Sequence, residues 1–429
     1  MTMTAFEGPA GSGKTHRLMH ELVAVLEQSP LQPHQRVLAL TFMHGSRRRL
    51  DSRLAAVAPL KGRYDAVVLD GFAWRLIQRW RRLVMHLGHP PPQEHDFGAC
   101  CALAAQLVQI DVVAAWVKAS FPIMLVDEAQ DLCPNRSAIV TSLSRMVTVL
   151  LAFDEFQCLQ PELRPIPIQA WLEQNSAPVL LAGNHRTNSA QLLAAAGAVR
   201  QGARLVDGGR EFKLLATPKV PLTATWLAIA IRYRGDNGNV AVLTPTRAGL
   251  AETAVARVCA GPIGRKQSGP YDIRWENTDA QDVKAIWDRI ALAGQCSVSD
   301  AVAALHENRD DPILLRARDW LKYKERTQGT VIIDAEEVRG QIEKLVTRRR
   351  QFGGRREARF SAMTIHQAKN REFDHVVVIW PHRVPNGDDQ RRRLLYNAIT
   401  RARRRCTVLV QADALLLAPP FEPRPEAAA

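Results

Sequence analysis

Gly8-Pro9-Ala10-Gly11-Ser12-Gly13-Lys14-Thr15 is the stretch on which the fold turns. It matches G-x-x-x-x-G-K-[ST], follows a short apolar run at Ala5-Phe6 and opens a helical pattern. Glycines let backbone N–H groups turn inward around an anion, and the helix N-terminus behind them adds the positive end of a dipole. Lys14 is long enough to reach β- and γ-phosphate oxygens, and Thr15 can ligate Mg²⁺. A strand, a glycine-rich loop and a helix in this order imply a nucleoside triphosphate with its divalent cation.

Further along, Ile123-Met124-Leu125-Val126-Asp127-Glu128-Ala129-Gln130-Asp131 reads as an apolar strand ending in adjacent acids. An aspartate at the C-terminal end of a strand can hold Mg²⁺ through its water shell, and a neighbouring glutamate can polarise the water attacking a γ-phosphate. The two roles need two carboxylates, which Asp127 and Glu128 supply. Other short apolar runs end at turn residues: Val37 to Phe42, Val67 to Leu69, Val147 to Phe153, Val179 to Ala182, Val240 to Leu243, Val376 to Trp380 and Val408 to Val410. Helix-like segments alternate with many of them, the pattern of parallel sheets covered by helices.

The chain has 429 residues, 46% apolar and 23% charged, which suits several packed domains and excludes a fibrous or disordered class. No apolar run approaches the ~18 residues of a spanning helix. MTMTAFEG has neither the basic region nor the apolar stretch of a secretory signal, so a cytoplasmic protein without membrane association is expected. Seven cysteines lie between Cys100 and Cys406 with no C-x-x-C pair, which gives neither a disulfide framework nor a zinc site. Lys plus Arg is 57 against 43 for Asp plus Glu, a net charge of +14 that favours a polyanionic partner. Strand runs thin out between about 250 and 358, where charged amphipathic segments predict a mostly helical insertion, and a shorter one is expected at about 74–116. Two α/β lobes follow, residues 1–175 and 176–418, each with a small helical insertion, and the proline-rich end 419–429 is expected to fray.

The block Leu125 to Asp131 resembles the D-E-x-Q-D motif of superfamily 1 helicases of the UvrD/Rep type, and further blocks stand in the family's order. Val37 to Phe42 with Ser46-Arg47-Arg48-Arg49-Leu50 is similar to motif Ia, Asp154-Glu155-Phe156-Gln157 to motif III, and Asn184-His185-Arg186-Thr187 to motif IV. Met363 to Lys369 with Glu372-Phe373 is similar to motif V, and Arg393 to Ala402 to motif VI. The resemblance implies two RecA-like lobes of a P-loop NTPase that hydrolyse Mg²⁺-ATP and move on single-stranded DNA, with 3′-5′ polarity. Residue by residue it puts Lys14, Glu128, Gln157, Arg186 and Arg401 in catalysis, Arg401 as an arginine finger. It puts Gly8, Gly11, Ser12, Gly13, Lys14, Thr15, His185 and Glu372 on the nucleotide, and Thr15 and Asp127 on the metal. Thr41, Phe42, Arg47, Phe72, Thr364 and His366 would face DNA.

Departures from the family pattern bear on mechanism. The family's adenine-reading glutamine stands upstream of the phosphate loop and is absent from the seven residues before Gly8, so relaxed base specificity is expected. His185 stands where an aromatic residue, usually tyrosine, stacks on the base. The T-x-H-[SG]-F block becomes Val68-Leu69-Asp70-Gly71-Phe72, an acid in place of the histidine, repulsive to a phosphate path unless Asp70 faces away. Cys158-Leu159-Gln160-Pro161 lacks the aromatic that wedges between bases. Asn370 replaces a glycine of motif V, which implies a side chain at a positive φ.

Three readings compete. The first is a DNA translocase or helicase acting on single strands, duplex junctions included. The second is a nucleic-acid-sensing ATPase subunit of a larger complex, for example in phage defence, working with a nuclease or effector and unwinding little by itself. The third is an RNA remodeller, since stacking grooves accept both polymers unless the 2′-hydroxyl is read. Short insertions and altered DNA blocks favour the second.

Overall fold

The computed structural model describes residues 3–42, 44–90, 92, 96–233, 238–247, 249–292, 294–307, 310–352 and 358–423. Contacts divide the chain into a larger unit, Met1–Arg274 with Ala358–Ala429, and a smaller one, Trp275–Glu357. The strands are β1 Met3–Glu7, β2 Val37–Thr41, β3 Tyr64–Val68, β4 Ile123–Val126, β5 Thr148–Phe153, β6 Val179–Leu180, β7 Phe212–Ala216, β8 Val240–Thr244, β9 Arg274–Trp275, β10 Gln295–Ser297, β11 Ile332–Asp334, β12 Phe360–Thr364, β13 Phe373–Trp380 and β14 Ala402–Val410.

The larger unit carries two six-stranded sheets, ordered β3-β2-β4-β5-β1-β6 and β7-β14-β13-β8-β12-β9. Every neighbouring pair of the first is parallel, as are β7 to β14, β14 to β13, β13 to β8 and β8 to β12 in the second. The expected class, α/β with two parallel-sheet lobes, is therefore what the chain adopts. β2, β4 and β8 are buried at every residue, which is why they read as unbroken apolar runs rather than as alternating ones.

Helices cover both faces of the first sheet. Helix Lys14–Gln28 lays Leu18, Leu22 and Leu26 against one face at four-residue spacing. Helices Leu69–Arg79, Phe97–Leu107, Asp111–Ser120 and Pro134–Leu143 cover the other. The segment expected to stand apart at 74–116 belongs to this core, because Leu76, Cys100, Leu103 and Val113 share one apolar cluster with Leu38 and Leu151. The second sheet's cluster takes in Ala10, Phe156 and Leu159 from the first half of the chain.

The smaller unit is an independent core of Val283, Ile286, Leu305, Leu314, Leu321, Val338 and Ile342 over the antiparallel pair β10 and β11. Its helices start on side-chain caps, Thr278 with Gln281 in a reciprocal box and Ser297 and Asp311 singly. It is narrower than the expected 250–358, since helix Leu250–Ala260 packs on helix Val220–Arg232 in the larger unit. No single helix among the described residues is long and apolar enough to cross a membrane.

The described part of the tail does not fray. Phe421 is 1% exposed, stands edge-on to Trp380 with ring centroids 5.7 Å apart, and accepts a backbone hydrogen bond from Leu205 at 2.8 Å. Its phenyl ring adds to the second-sheet core, which is the reason proline-rich composition misleads here. Residues 424–429 lie outside the described residues. Phe421→Ala is expected to destabilise the larger unit by about 3–5 kcal/mol, the range for truncating a buried phenylalanine. An unchanged thermal midpoint would show that the tail contributes nothing to the core.

Candidate active site

In parallel sheets functional loops gather at the C-terminal strand ends, and here β1, β4 and β5 deliver Gly8, Asp127 and Asp154 to one edge. Gly11 and Gly13 have φ of 84° and 82°, left-handed values that glycine adopts without a Cβ clash, and Gly13 caps helix Lys14–Gln28. Lys14 is 8% exposed, and its Nζ donates only to the Gly8 carbonyl at 2.8 Å and the Pro9 carbonyl at 3.1 Å. Ser12 Oγ is buried with no partner. Thr15 Oγ1 donates to Asp127 Oδ2 at 3.1 Å. Burial, reinforced by the neighbouring Glu128 carboxylate, pushes the Asp127 carboxyl up to about 6, with Thr15 and Lys14 opposing.

Glu128 has φ 63° and ψ 43°, a conformation that costs a residue with a side chain about 1–3 kcal/mol. Burial pushes its carboxyl up, yet Lys14, Lys369 and Arg401 together hold it below the usual range. From Glu128 a chain of polar contacts runs inward. Gln130 Nε2 donates to Glu128 Oε2, and Gln130 Oε1 accepts from the Asp154 backbone N–H at 3.0 Å. Asp154 Oδ2 accepts from Gln157 Nε2 at 2.8 Å, and Gln157 Oε1 accepts from Arg401 Nη2 at 3.2 Å.

Arg401 is 2% exposed. Its other partners are the Asn397 carbonyl, reached by Nε at 3.0 Å, and Thr400 Oγ1 at 3.4 Å. No carboxylate pairs with it among the described residues. Burial, and then repulsion from Arg186, bring its guanidinium down to about 9. The register that sets Phe373 opposite Ala402 places Glu372 and Arg401 side by side at the N-terminal ends of β13 and β14. Glu372 is shared by Arg186 Nε at 2.9 Å and Arg403 at 3.0 Å, and Arg186 Nη1 also donates to the Thr400 carbonyl at 2.9 Å.

The loop at 184–187 closes on the phosphate loop. Asn184 Nδ2 donates to the Ala10 carbonyl at 2.9 Å, and the His185 N–H donates to the Gly11 carbonyl at 2.7 Å. The ring of His185 itself is exposed beside Gly13. Below this loop the Phe156 ring meets Tyr396 edge-on at 5.1 Å and carries the guanidiniums of Arg200, Arg392 and Arg393 at 5.4, 5.6 and 4.8 Å. Arg200 Nη1 donates to Asp154 Oδ1 at 2.7 Å, Arg393 pairs with Glu155 at 2.6 Å, and Lys369 pairs with Asp131. Gln130, Asp131, Arg200 and Arg393 thus join the site without having been assigned a role from sequence. Gln130 and Asp131 sit inside the D-E-x-Q-D block, whereas Arg200 lies in helix Ala190–Gln201 with no motif around it.

The residues expected on DNA differ in their surroundings. Phe72 is 3% exposed, on a helix that turns Leu69, Phe72, Ala73, Leu76 and Ile77 into the first-sheet core, so it is a packing residue. Thr41 is wholly enclosed, its hydroxyl without a partner, and Phe42 packs on the same core with the Arg136 guanidinium 5.9 Å from its ring. Asp70 does not confront a phosphate path: Arg136 Nε and Nη2 hold it at 2.9 and 2.8 Å. His366 is exposed, Arg47 is half-buried, and Thr364 Oγ1 donates to Gln367 Oε1 at 3.2 Å. Asn370 does adopt φ 61°, as its replacement of a glycine implied, and its Nδ2 donates to Ser46 Oγ at 2.7 Å.

Residues 359–409 match the family model of the UvrD-like helicase C-terminal domain, a span that contains Thr364, His366, Glu372 and Arg401. No curated protein sequence matches the chain. Among solved structures, the helicase nonstructural protein 10 of an arterivirus is similar at 12% identity and a TM-score of 0.42, over 98% of this chain and 62% of that one. Its complex with DNA is similar at 12% identity and a TM-score of 0.40, over 97% and 62%. The chain therefore spans about three-fifths of the length of these structures. In its ordered motifs, its two parallel-sheet lobes and the family match over residues 359–409, the chain is similar to the superfamily 1 helicases of the UvrD/Rep type.

Proposed function

We propose that the edge lined by Lys14, Glu128 and Arg401 binds and hydrolyses ATP and that the chain uses the cycle to move on single-stranded DNA. The observation that supports this best is Arg401, a buried cation whose hydrogen bonds all go to neutral oxygens, with the Glu128 and Glu372 carboxylates acting on it without an ion pair. A buried charge is costly unless paired, and an arriving phosphate supplies the pair. Lys14, satisfied only by carbonyls of its own loop, and the partnerless Ser12 hydroxyl are poised in the same way.

Mg²⁺ fits the residues present. No cluster of three or more metal-ligating side chains occurs among the described residues, and Mg²⁺ needs none when one carboxylate, a threonine hydroxyl, waters and substrate phosphates complete its shell. Thr15 and Asp127 would hold it, and the ion supplies charge neutralisation at the phosphates. In this reading Lys14 exchanges the Gly8 and Pro9 carbonyls for phosphate oxygens. Glu128, kept ionised by three cations, takes the proton of the attacking water. Arg401 meets the charge that develops on the γ-phosphate, held in direction by Gln157 and Asn397. Hydrolysis removes the anion, and Arg401 returns to the neutral partners, Gln157 and Asn397, that hold it without nucleotide. The second reading, a sensing ATPase subunit with little unwinding, draws support from Phe72 and Asp70, which are core and ion pair rather than polymer contacts.

Steady-state ATP hydrolysis with no polymer, oligo(dT), oligo(U) and duplex separates these readings, with Lys14→Ala as the blank. Stimulation by oligo(dT) with strand displacement is the result expected of a translocase. Stimulation without displacement selects the sensor, and silence towards every polymer removes both. Glu128→Gln should lower turnover by roughly 10²–10⁴-fold while ATP still binds, the scale of losing a general base. Full turnover in a folded Glu128→Gln protein would end the assignment. Gly11→Ala puts a Cβ at φ +84° and 2.6 Å from Asn184 Nδ2, so ATP binding should be lost with a stability change of only about 1–3 kcal/mol. Retained ATP affinity in that variant would mean the loop does not cradle phosphate.

A further inference from the structure

Away from the phosphate loop, the second sheet holds a concave site that no motif uses. A cavity of about 350 Å³ opens between helix Val220–Arg232 and the sheet's β7, β14 and β13. Arg210, Lys213 and Arg405 line it together with Trp226, Tyr233 and His375. The register explains the gathering: β14 lies between β7 and β13, with His375 opposite Arg405 and Lys213 opposite Thr407.

The charge of this wall is uncompensated. No carboxylate lines the cavity, and none of its three cations has an ion-pair partner among the described residues. In β14 the contrast is within one run of arginines: Arg403 pairs with Glu372 at 3.0 Å and Arg404 with Asp374 at 3.8 Å, while Arg405 donates only to the Tyr233 carbonyl at 2.6 Å. Lys213 Nζ stands 5.2 Å from the Trp226 ring centroid. Lys266 Nζ adds a further cation, 2.8 Å from the Tyr233 hydroxyl. Beneath them His375 is 4% exposed, its Nε2 is 3.3 Å from Thr407 Oγ1, and its Nδ1 has no hydrogen bond. Aromatic faces beside unpaired cations in a cavity of a few hundred Å³ suit one ligand chemistry, a planar ring bearing phosphate.

We propose that this cavity binds a nucleoside monophosphate, free or as the 5′-phosphorylated end of a strand, at a site separate from the ATP edge. The ring would lie against Trp226 and Tyr233, and the phosphate would be held by Arg210, Lys213 and Arg405. The test is calorimetric titration of the full chain carrying Lys14→Ala, so that the phosphate loop is silenced and failure here is distinct from failure of the ATPase reading. AMP is expected to bind, with adenosine and pyrophosphate each weaker by at least roughly tenfold because each lacks half of the recognised chemistry. Lys213→Glu and Arg405→Glu, added singly, should weaken AMP by at least roughly tenfold with unchanged thermal midpoints. A 5′-phosphorylated oligonucleotide that displaces AMP where its 5′-hydroxyl counterpart does not assigns the strand end, and displacement by neither assigns the free nucleotide. Absence of AMP binding, AMP affinity indifferent to both substitutions, or pyrophosphate or adenosine binding as tightly as AMP would overturn the proposal.

Discussion

The guanidinium of Arg401 is carried into the interior by the short connection from helix Asp388–Ile399 to β14 and is met there by a carbonyl, an amide oxygen and a hydroxyl, all neutral. Desolvating a charge in this way is expensive, and the surrounding structure is arranged around the debt. Gln157 reaches Arg401 only because Asp154 fixes its amide, Asp154 is fixed by Gln130, and Gln130 by Glu128. A carboxylate on one lobe is thereby tied through two amides and a second carboxylate to a cation on the other. The left-handed backbone at Glu128 fits the same account, as local strain tolerated where a side chain must take one particular direction.

The two sheets share more than this relay. Phe156, at the end of β5, sits among three guanidiniums and the Tyr396 ring, and the Tyr396 hydroxyl accepts from the Ala10 N–H at 2.9 Å. Arg393 and Lys369 add ion pairs to Glu155 and Asp131. Interlobe cohesion is thus strongly electrostatic, with an aromatic pivot inside it. Ala10, Phe156 and Leu159 add apolar packing to these charged contacts, so both kinds of interaction join the two sheets.

Much of the fold was legible in the chain. Doubly buried parallel strands announce themselves as unbroken apolar runs, and the phosphate loop and Asp127-Glu128 pair sit where strand ends must put them. Asn370 could be read as a positive-φ residue from the glycine it replaces. Other features were missed for physical reasons. Phe72 and Thr41 were expected at DNA from their blocks, yet Phe72 belongs to the stripe Leu69, Phe72, Ala73, Leu76 and Ile77, whose helical spacing is itself a core signal, and Thr41 ends a strand buried at every residue. Helices Phe97–Leu107 and Asp111–Ser120 look like an insertion because sequence distance from a sheet does not report packing onto it. Arg200 and Gln130 matter through tertiary partners 46 and 24 residues away, which no short spacing encodes.

Asn184 and His185 hydrogen-bond to the very carbonyls, Ala10 and Gly11, that shape the phosphate cradle, and they do so from the segment that supplies Arg186. On the ATP-binding reading proposed above, nucleotide entering this edge would have to break these two hydrogen bonds, and its capture at high concentration would level off at the rate at which they break.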